Sequence, residues 1–299
     1  MRQQAEPIRE NGAASSPGRG RIGNGVSPGR HENVSDGAGL REQIRERIYA
    51  AIDDTSEDRL EDLRSRLLPY VGGVKLGPAF LTGRDSGLVV DSFKGVQRFL
   101  DLKLHDIPNT VACSVRRLFC YRPRVITVHA SGGYEMLRAA TEAARDHEAD
   151  TGIPRPMIIA VTVLTSLSAE DLAMVGQDSE VREQVLRLGD LALRAGLDGV
   201  VSAPRDVGAL REEFGDDLKL FTPGIRPERD ATDDHKRAMT PEEALSAGAD
   251  YLVIGRPLTR ARRPDEAAER LLTSLERFFQ NGHAQGSSFP ASQRVALRG

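Results

Sequence analysis

Short apolar segments rich in β-branched residues alternate with longer stretches of helical period through most of this chain, and that rhythm restricts the fold more than any other feature. The expected strands are 47–52, 73–76, 98–102, 125–128, 157–163, 199–202, 219–222 and 251–254. Between them the spacing predicts helices over 56–67, 110–119, 133–147, 180–195, 204–214, 241–247 and 265–280, with one more between Gly83 and Lys94. Eight strands that each hand over to a helix predict an α/β chain folded as a (β/α)8 TIM barrel. The competing arrangement is a doubly wound open sheet. No G-x-G-x-x-G opens a helix after an early strand, which argues against a dinucleotide-binding fold.

With 299 residues and 39% hydrophobic content, the chain can bury a large core. Its two ends read differently. Residues 1–40 hold eight glycines and no aromatic residue, so they read as a disordered extension that cannot bury enough apolar surface to offset ordering. The stretch from Gln280 to the end has a similar composition and reads as a flexible tail, which leaves the barrel to residues 41–279. A formal net charge of −3 gives no general attraction to nucleic acid or to an anionic membrane. Any anion must therefore be held locally. No apolar run approaches the ~20 residues of a membrane span, and the longest, 157–164, reads as a buried strand. The N-terminus lacks an apolar signal core, so the cytoplasm is the expected location. Cys113 and Cys120 form no disulfide framework and are expected to be reduced packing residues.

The sharpest local feature is FLDLKLHDIPNT, residues 99–110. Strand alternation sends Asp101 and Lys103 to the same face, and in a barrel that face can be the inner one, at the C-terminal rim. Asp106 follows in the loop, before Pro108 and the expected helix start at Asn109. Lys75 stands near the end of the preceding strand, and Asp53 follows the first. Charges at inward rim positions are costly unless paired or functional. A solvated salt-bridge rim is the bland alternative. Further along, TPGIRP (222–227) and IGRP (254–257) follow the last two strands, where such barrels usually bind phosphate. Gly224 and Gly255 would let backbone approach a dianion, and Arg226 and Arg256 supply charge. His105 and His129 are expected to be structural, and no zinc-like spacing is present, so no metal is expected.

Taken together, DLKLHDIPNT, VHASGG, AVTVLTS, TPGIRP and the final MTPEEALSAGADYLVIGRP resemble the orotidine 5'-phosphate decarboxylase family, over roughly residues 48–275. That resemblance implies conversion of orotidine monophosphate to uridine monophosphate and CO2 in pyrimidine biosynthesis, without a cofactor. It implies that Asp53 binds the ribose hydroxyls and that Lys75 links ribose to the charged array. Asp101 would face the substrate carboxylate, and Lys103 would deliver a proton to C6. Asp106 and Thr110 would cross a homodimer interface into the partner's site. Thr165 and Ser166 would contact the pyrimidine, while Arg226, Gly255 and Arg256 would grip the phosphate. At the spot where bacterial relatives carry a phosphate-bridging glutamine, this chain has His235, which can still donate a hydrogen bond. A solvent-facing loop histidine is the alternative there. Two other functions remain open on the residues: a metal-dependent 3-keto-sugar-6-phosphate decarboxylase, and a non-catalytic phosphate-binding barrel.

Overall fold

The computed structural model describes residues 34–53, 56–81, 90, 92–177, 180–227 and 239–282. Eight strands run β1 (Ile48–Ile52), β2 (Gly73–Leu76), β3 (Gln97–Leu104), β4 (Val125–His129), β5 (Met157–Val161), β6 (Gly199–Val201), β7 (Lys219–Pro223) and β8 (Tyr251–Ile254). They pair in parallel in chain order, and β8 closes on β1 to make a barrel. The expected (β/α)8 fold is what forms.

The helices follow the apolar period of the sequence. They are α1 (Val34–Glu46), α2 (Glu57–Leu67), α3 (Pro78–Leu81), α4 (Pro108–Leu118), α5 (Tyr134–Thr151), α6 (Ala169–Met174), α7 (Val181–Arg194), α8 (Val207–Phe214), α9 (Pro241–Ser246), α10 (Arg256–Thr259) and α11 (Pro264–Gln280). On α11, Ala268, Leu271, Leu272 and Leu275 form the buried stripe, the i, i+3, i+4, i+7 pattern of an amphipathic helix. Capping boxes start α6 and α9, where Ser168 and Thr240 each accept an amide hydrogen bond from the third helical residue. Such caps satisfy donors that the first turn leaves unpaired.

Two apolar layers result. Outward-facing strand residues such as Ile48, Val74, Leu100, Val200 and Leu252 pack against the helices. Inside the barrel a separate cluster contains Tyr49, Phe99, Val125, Ile159, Phe221 and Tyr251. Tyr49 and Phe99 meet edge to face at 5.7 Å, and Phe221 stacks on Tyr251 at 4.3 Å. The Tyr49 ring fits because its neighbour is Gly73, where a Cβ would lie 2.4 Å from that ring. This aromatic plug fills the barrel below the rim, so the inward residues above it form a floor for whatever binds there. At the opposite end, Asp198 takes both guanidinium nitrogens of Arg155 at 2.7 Å and the Ile158 amide at 2.8 Å. Asp250 likewise takes Arg211 at 2.6 Å and the Leu220 amide at 2.9 Å. Each carboxylate clips adjoining segments at the strand starts.

The first helix differs from expectation. Helix α1 begins at Val34, so the boundary expected at residue 40 falls within it. Its glycines, Gly37 and Gly39, disguise it in composition, but tertiary contacts hold it. Ile44 is 1% exposed within the main core, and Arg41 pairs with Glu269 at 2.7 Å and Glu276 at 2.9 Å on α11. Ile44→Ala is therefore expected to lower unfolding free energy by about 2–5 kcal/mol, measured by denaturant titration. A loss under about 0.5 kcal/mol, the size of an ordinary surface change, would contradict that packing. Most of the helix expected between Gly83 and Lys94 lies outside the described residues, as do residues 1–33 and 283–299.

Candidate active site

At the C-terminal rim, the inward faces of three consecutive strands converge on Asp101. One carboxylate oxygen, Oδ2, receives Lys75 Nζ from β2 at 3.1 Å and Lys103 Nζ from β3 at 2.9 Å. The other, Oδ1, accepts the Thr127 hydroxyl from β4 at 3.1 Å. Burial by itself would raise the pKa of Asp101, whose side chain is only 12% exposed. The two ammonium groups outweigh burial and hold the carboxyl below its ordinary value. Asp101 is thus ionised at neutral pH. Its ion pairing supports the fold above the ordinary carboxylate range and is lost as pH falls through the lowered pKa.

Simple strand alternation does not bring Lys103 there. The β3–β4 register runs Leu100↔Ile126 and then Leu104↔Val128, so four steps on β3 match two on β4. Inside that bulge Lys103 takes a left-handed backbone, with φ 50°. For a non-glycine residue this conformation costs ~1–3 kcal/mol and persists only where surroundings enforce it. The Lys103 amide donates to Thr127 Oγ1 at 2.8 Å. Thr127 is fully buried, and sequence reading overlooked it. Its signal was a polar residue at an inward position, two after Val125, in a strand otherwise apolar up to its last residue, His129.

The remaining expected residues that the structure describes fall on the segments that follow the strands. Asp53 is exposed at the end of β1. Asp106 is exposed as well, and its Oδ1 accepts the Ile107 amide at 2.6 Å. Thr110 is exposed in the first turn of α4, three residues after the N-cap Ile107, which is 67% exposed. Thr165 and Ser166 occupy an exposed turn after β5. Arg226 follows β7, and its backbone amide donates to Met239 O at 3.0 Å. Gly255 caps α10, and Arg256 is the first residue of that helix. Arg226 and Arg256 line a single cavity of about 810 Å³. His235 lies outside the described residues.

His129 and His105 stack with ring centroids 5.4 Å apart, and His129 Nδ1 lies 2.8 Å from Ser131 Oγ. Burial, His105 and Lys103 each lower the pKa of His129, keeping its imidazole neutral. Cys113 and Cys120 are free and exposed rather than packed, because both fall on the outer side of α4 and the turn that follows it. Among the described residues no cluster of three or more His, Cys, Asp or Glu side chains could hold a metal ion, and no helix is long and apolar enough to cross a membrane.

A closed parallel barrel with a charged array at its C-terminal rim and arginines after its last two strands defines a (β/α)8 protein, a class whose loops after strands seven and eight frequently bind phosphate. Comparison narrows the class. The model of the orotidine 5'-phosphate decarboxylase / HUMPS family matches residues 46–271. An orotidine 5'-phosphate decarboxylase of Paramagnetospirillum magneticum is 46% identical over 229 residues, covering 76% of this chain and 97% of that relative. Another, from Moorella thermoacetica, is 45% identical over 239 residues, covering 79% of this chain and 95% of its own length. The crystal structure of orotidine 5'-phosphate decarboxylase from Lactobacillus acidophilus matches with a TM-score of 0.64 at 35% identity, covering 77% of this chain and 97% of that one. This chain belongs to the orotidine 5'-phosphate decarboxylase / HUMPS family.

Proposed function

We propose that this protein decarboxylates orotidine 5'-monophosphate to uridine 5'-monophosphate, a step of pyrimidine biosynthesis, with its own side chains and no cofactor. The observation that carries this reading is the single carboxylate oxygen of Asp101 shared by Lys75 and Lys103. Breaking the C6–carboxylate bond releases CO2 and leaves the electron pair on C6. An ammonium already fixed beside that carbon stabilises the charge without reorganisation. Lys103 then gives its proton to C6. Asp101 faces the departing carboxylate, Lys75 and Asp53 hold the ribose, and Thr165 and Ser166 orient the pyrimidine. Arg226, Gly255 and Arg256 take the phosphate, and His235 donates a further hydrogen bond to it. Phosphate binding, remote from C6, supplies energy that aligns the array.

The working unit is a homodimer in which Asp106 and Thr110 of each subunit complete the other's site. Their exposure, and that of the neighbouring Ile107, fits a surface that a second copy covers. The enzyme acts on a small cytoplasmic metabolite and engages neither nucleic acid nor membrane.

The ultraviolet absorbance of orotidine monophosphate tests the reaction directly. Purified, metal-stripped protein is expected to consume the substrate at an undiminished rate in excess chelator. Complete inhibition reversed by magnesium would overturn the cofactor-free mechanism and favour a metal-dependent sugar-phosphate decarboxylase. Ligand binding without CO2 release would instead mark a non-catalytic barrel.

A further inference from the structure

We infer that Thr127 is a positioning residue for the decarboxylation, setting both the Asp101 carboxylate and the Lys103 backbone through one hydroxyl. The inference rests on the reaction proposed above. A hydroxyl has one proton to give and lone pairs to receive with, and Thr127 uses both capacities within the array. It donates to Asp101 Oδ1 at 3.1 Å and accepts the Lys103 amide at 2.8 Å. Neither bond is local in sequence, since both cross from β4 to β3.

The two bonds have distinct consequences. With Oδ1 held by the hydroxyl, the Asp101 carboxylate presents Oδ2 to both lysines. The carboxylate could otherwise rotate and pair each lysine with a different oxygen, separating the two ammonium groups. The second bond captures the amide of a residue whose backbone is left-handed, at φ 50°. That amide sits in the bulge where the β3–β4 register shifts, so regular strand pairing does not hold it. Thr127 is 0% exposed, and no water replaces its hydroxyl without a cavity being opened. Losing the hydroxyl leaves an amide and a carboxylate oxygen short of a partner, which penalises the present geometry specifically. Lys103 then samples other backbone conformations, and its ammonium is no longer fixed beside C6.

Thr127→Val keeps the shape of the side chain and removes the hydroxyl, whereas Thr127→Ser keeps the hydroxyl. In folded Thr127→Val, counted per site by titration with uridine monophosphate, kcat is expected to fall about 10- to 100-fold, the scale for misplaced catalytic groups. KM and uridine monophosphate affinity should stay within about threefold, since the array matters most in the transition state. Thr127→Ser should recover kcat to within about threefold of wild type. If the valine variant is insoluble, Thr127→Ala is measured in its place with the same expectation. A kcat per folded site within twofold of wild type would overturn the inference, as would a serine variant no better than valine. A loss appearing only in thermal stability would also overturn it, by reducing Thr127 to a packing residue. Inactivity of the wild-type protein toward orotidine monophosphate would instead remove the proposed reaction, a separate result read in the same assay.

Discussion

Lys103→Ala is expected to lose nearly all turnover of orotidine monophosphate while still binding uridine monophosphate. The substitution removes both the preorganised cation and the proton donor, and these matter most when negative charge has developed on C6. By analogy with deleting one oxyanion donor, the loss should be at least ~3 kcal/mol in transition-state stabilisation, or more than about 100-fold in kcat. Binding should survive because the proposed phosphate and ribose contacts come from other strands. The effect extends beyond one missing charge. Asp101 would keep only Lys75 as a cationic partner, and its pKa should rise from its present lowered position. Steady-state kinetics and product-binding calorimetry check both halves. A variant within tenfold of wild type would refute the role given to Lys103.

Asp106→Ala should also be severely impaired, although Asp106 lies exposed and bonded to its own Ile107 amide. Mixing Asp106→Ala with Lys103→Ala under conditions of subunit exchange should restore activity from two inactive proteins. In a heterodimer one site lacks both residues. The other combines Lys103 from one chain with Asp106 from its partner and is complete. Random reassortment makes about half the dimers heterodimers, each with one intact site of two, so recovery should approach about a quarter of wild-type sites across an isologous interface. Tagged subunits would verify the exchange. Exchange without recovered activity would mean that the two residues act within one chain, or that no such dimer forms.

The eight-stranded fold was readable because short, nearly continuous apolar runs, such as those of β1, β5 and β8, alternate with stretches of period 3.6 along the chain. The expected and observed strands differ by at most two residues at either end, as at Gln97 and Leu104 of β3. The convergence of Lys75, Asp101 and Lys103 was also legible, since each stands at a strand end where inward charge needs a reason. What escaped reading was the means of convergence. A register shift between Leu100 and Leu104 depends on β4 as well as β3, and nothing in the string DLK announces a left-handed lysine. Thr127 escaped for a related reason. Threonine is a common strand former, so its special bonding appears only once β3 lies beside β4. Helix α1 was partly hidden by glycines whose cost is offset by contacts with α11, more than two hundred residues away in sequence.

The left-handed lysine carries an evolutionary implication. At position 103 the requirements of folding and of chemistry pull in opposite directions. Glycine adopts that backbone freely, and asparagine more readily than lysine, so selection for thermal robustness alone would favour replacing the lysine on which the proposed reaction depends. Stabilised variants obtained by screening only for solubility or melting temperature should therefore be sequenced at this codon first. On the proposed reaction, a chain that keeps lysine there retains strain for the sake of its substrate, a trade between robustness and activity written into a single torsion angle.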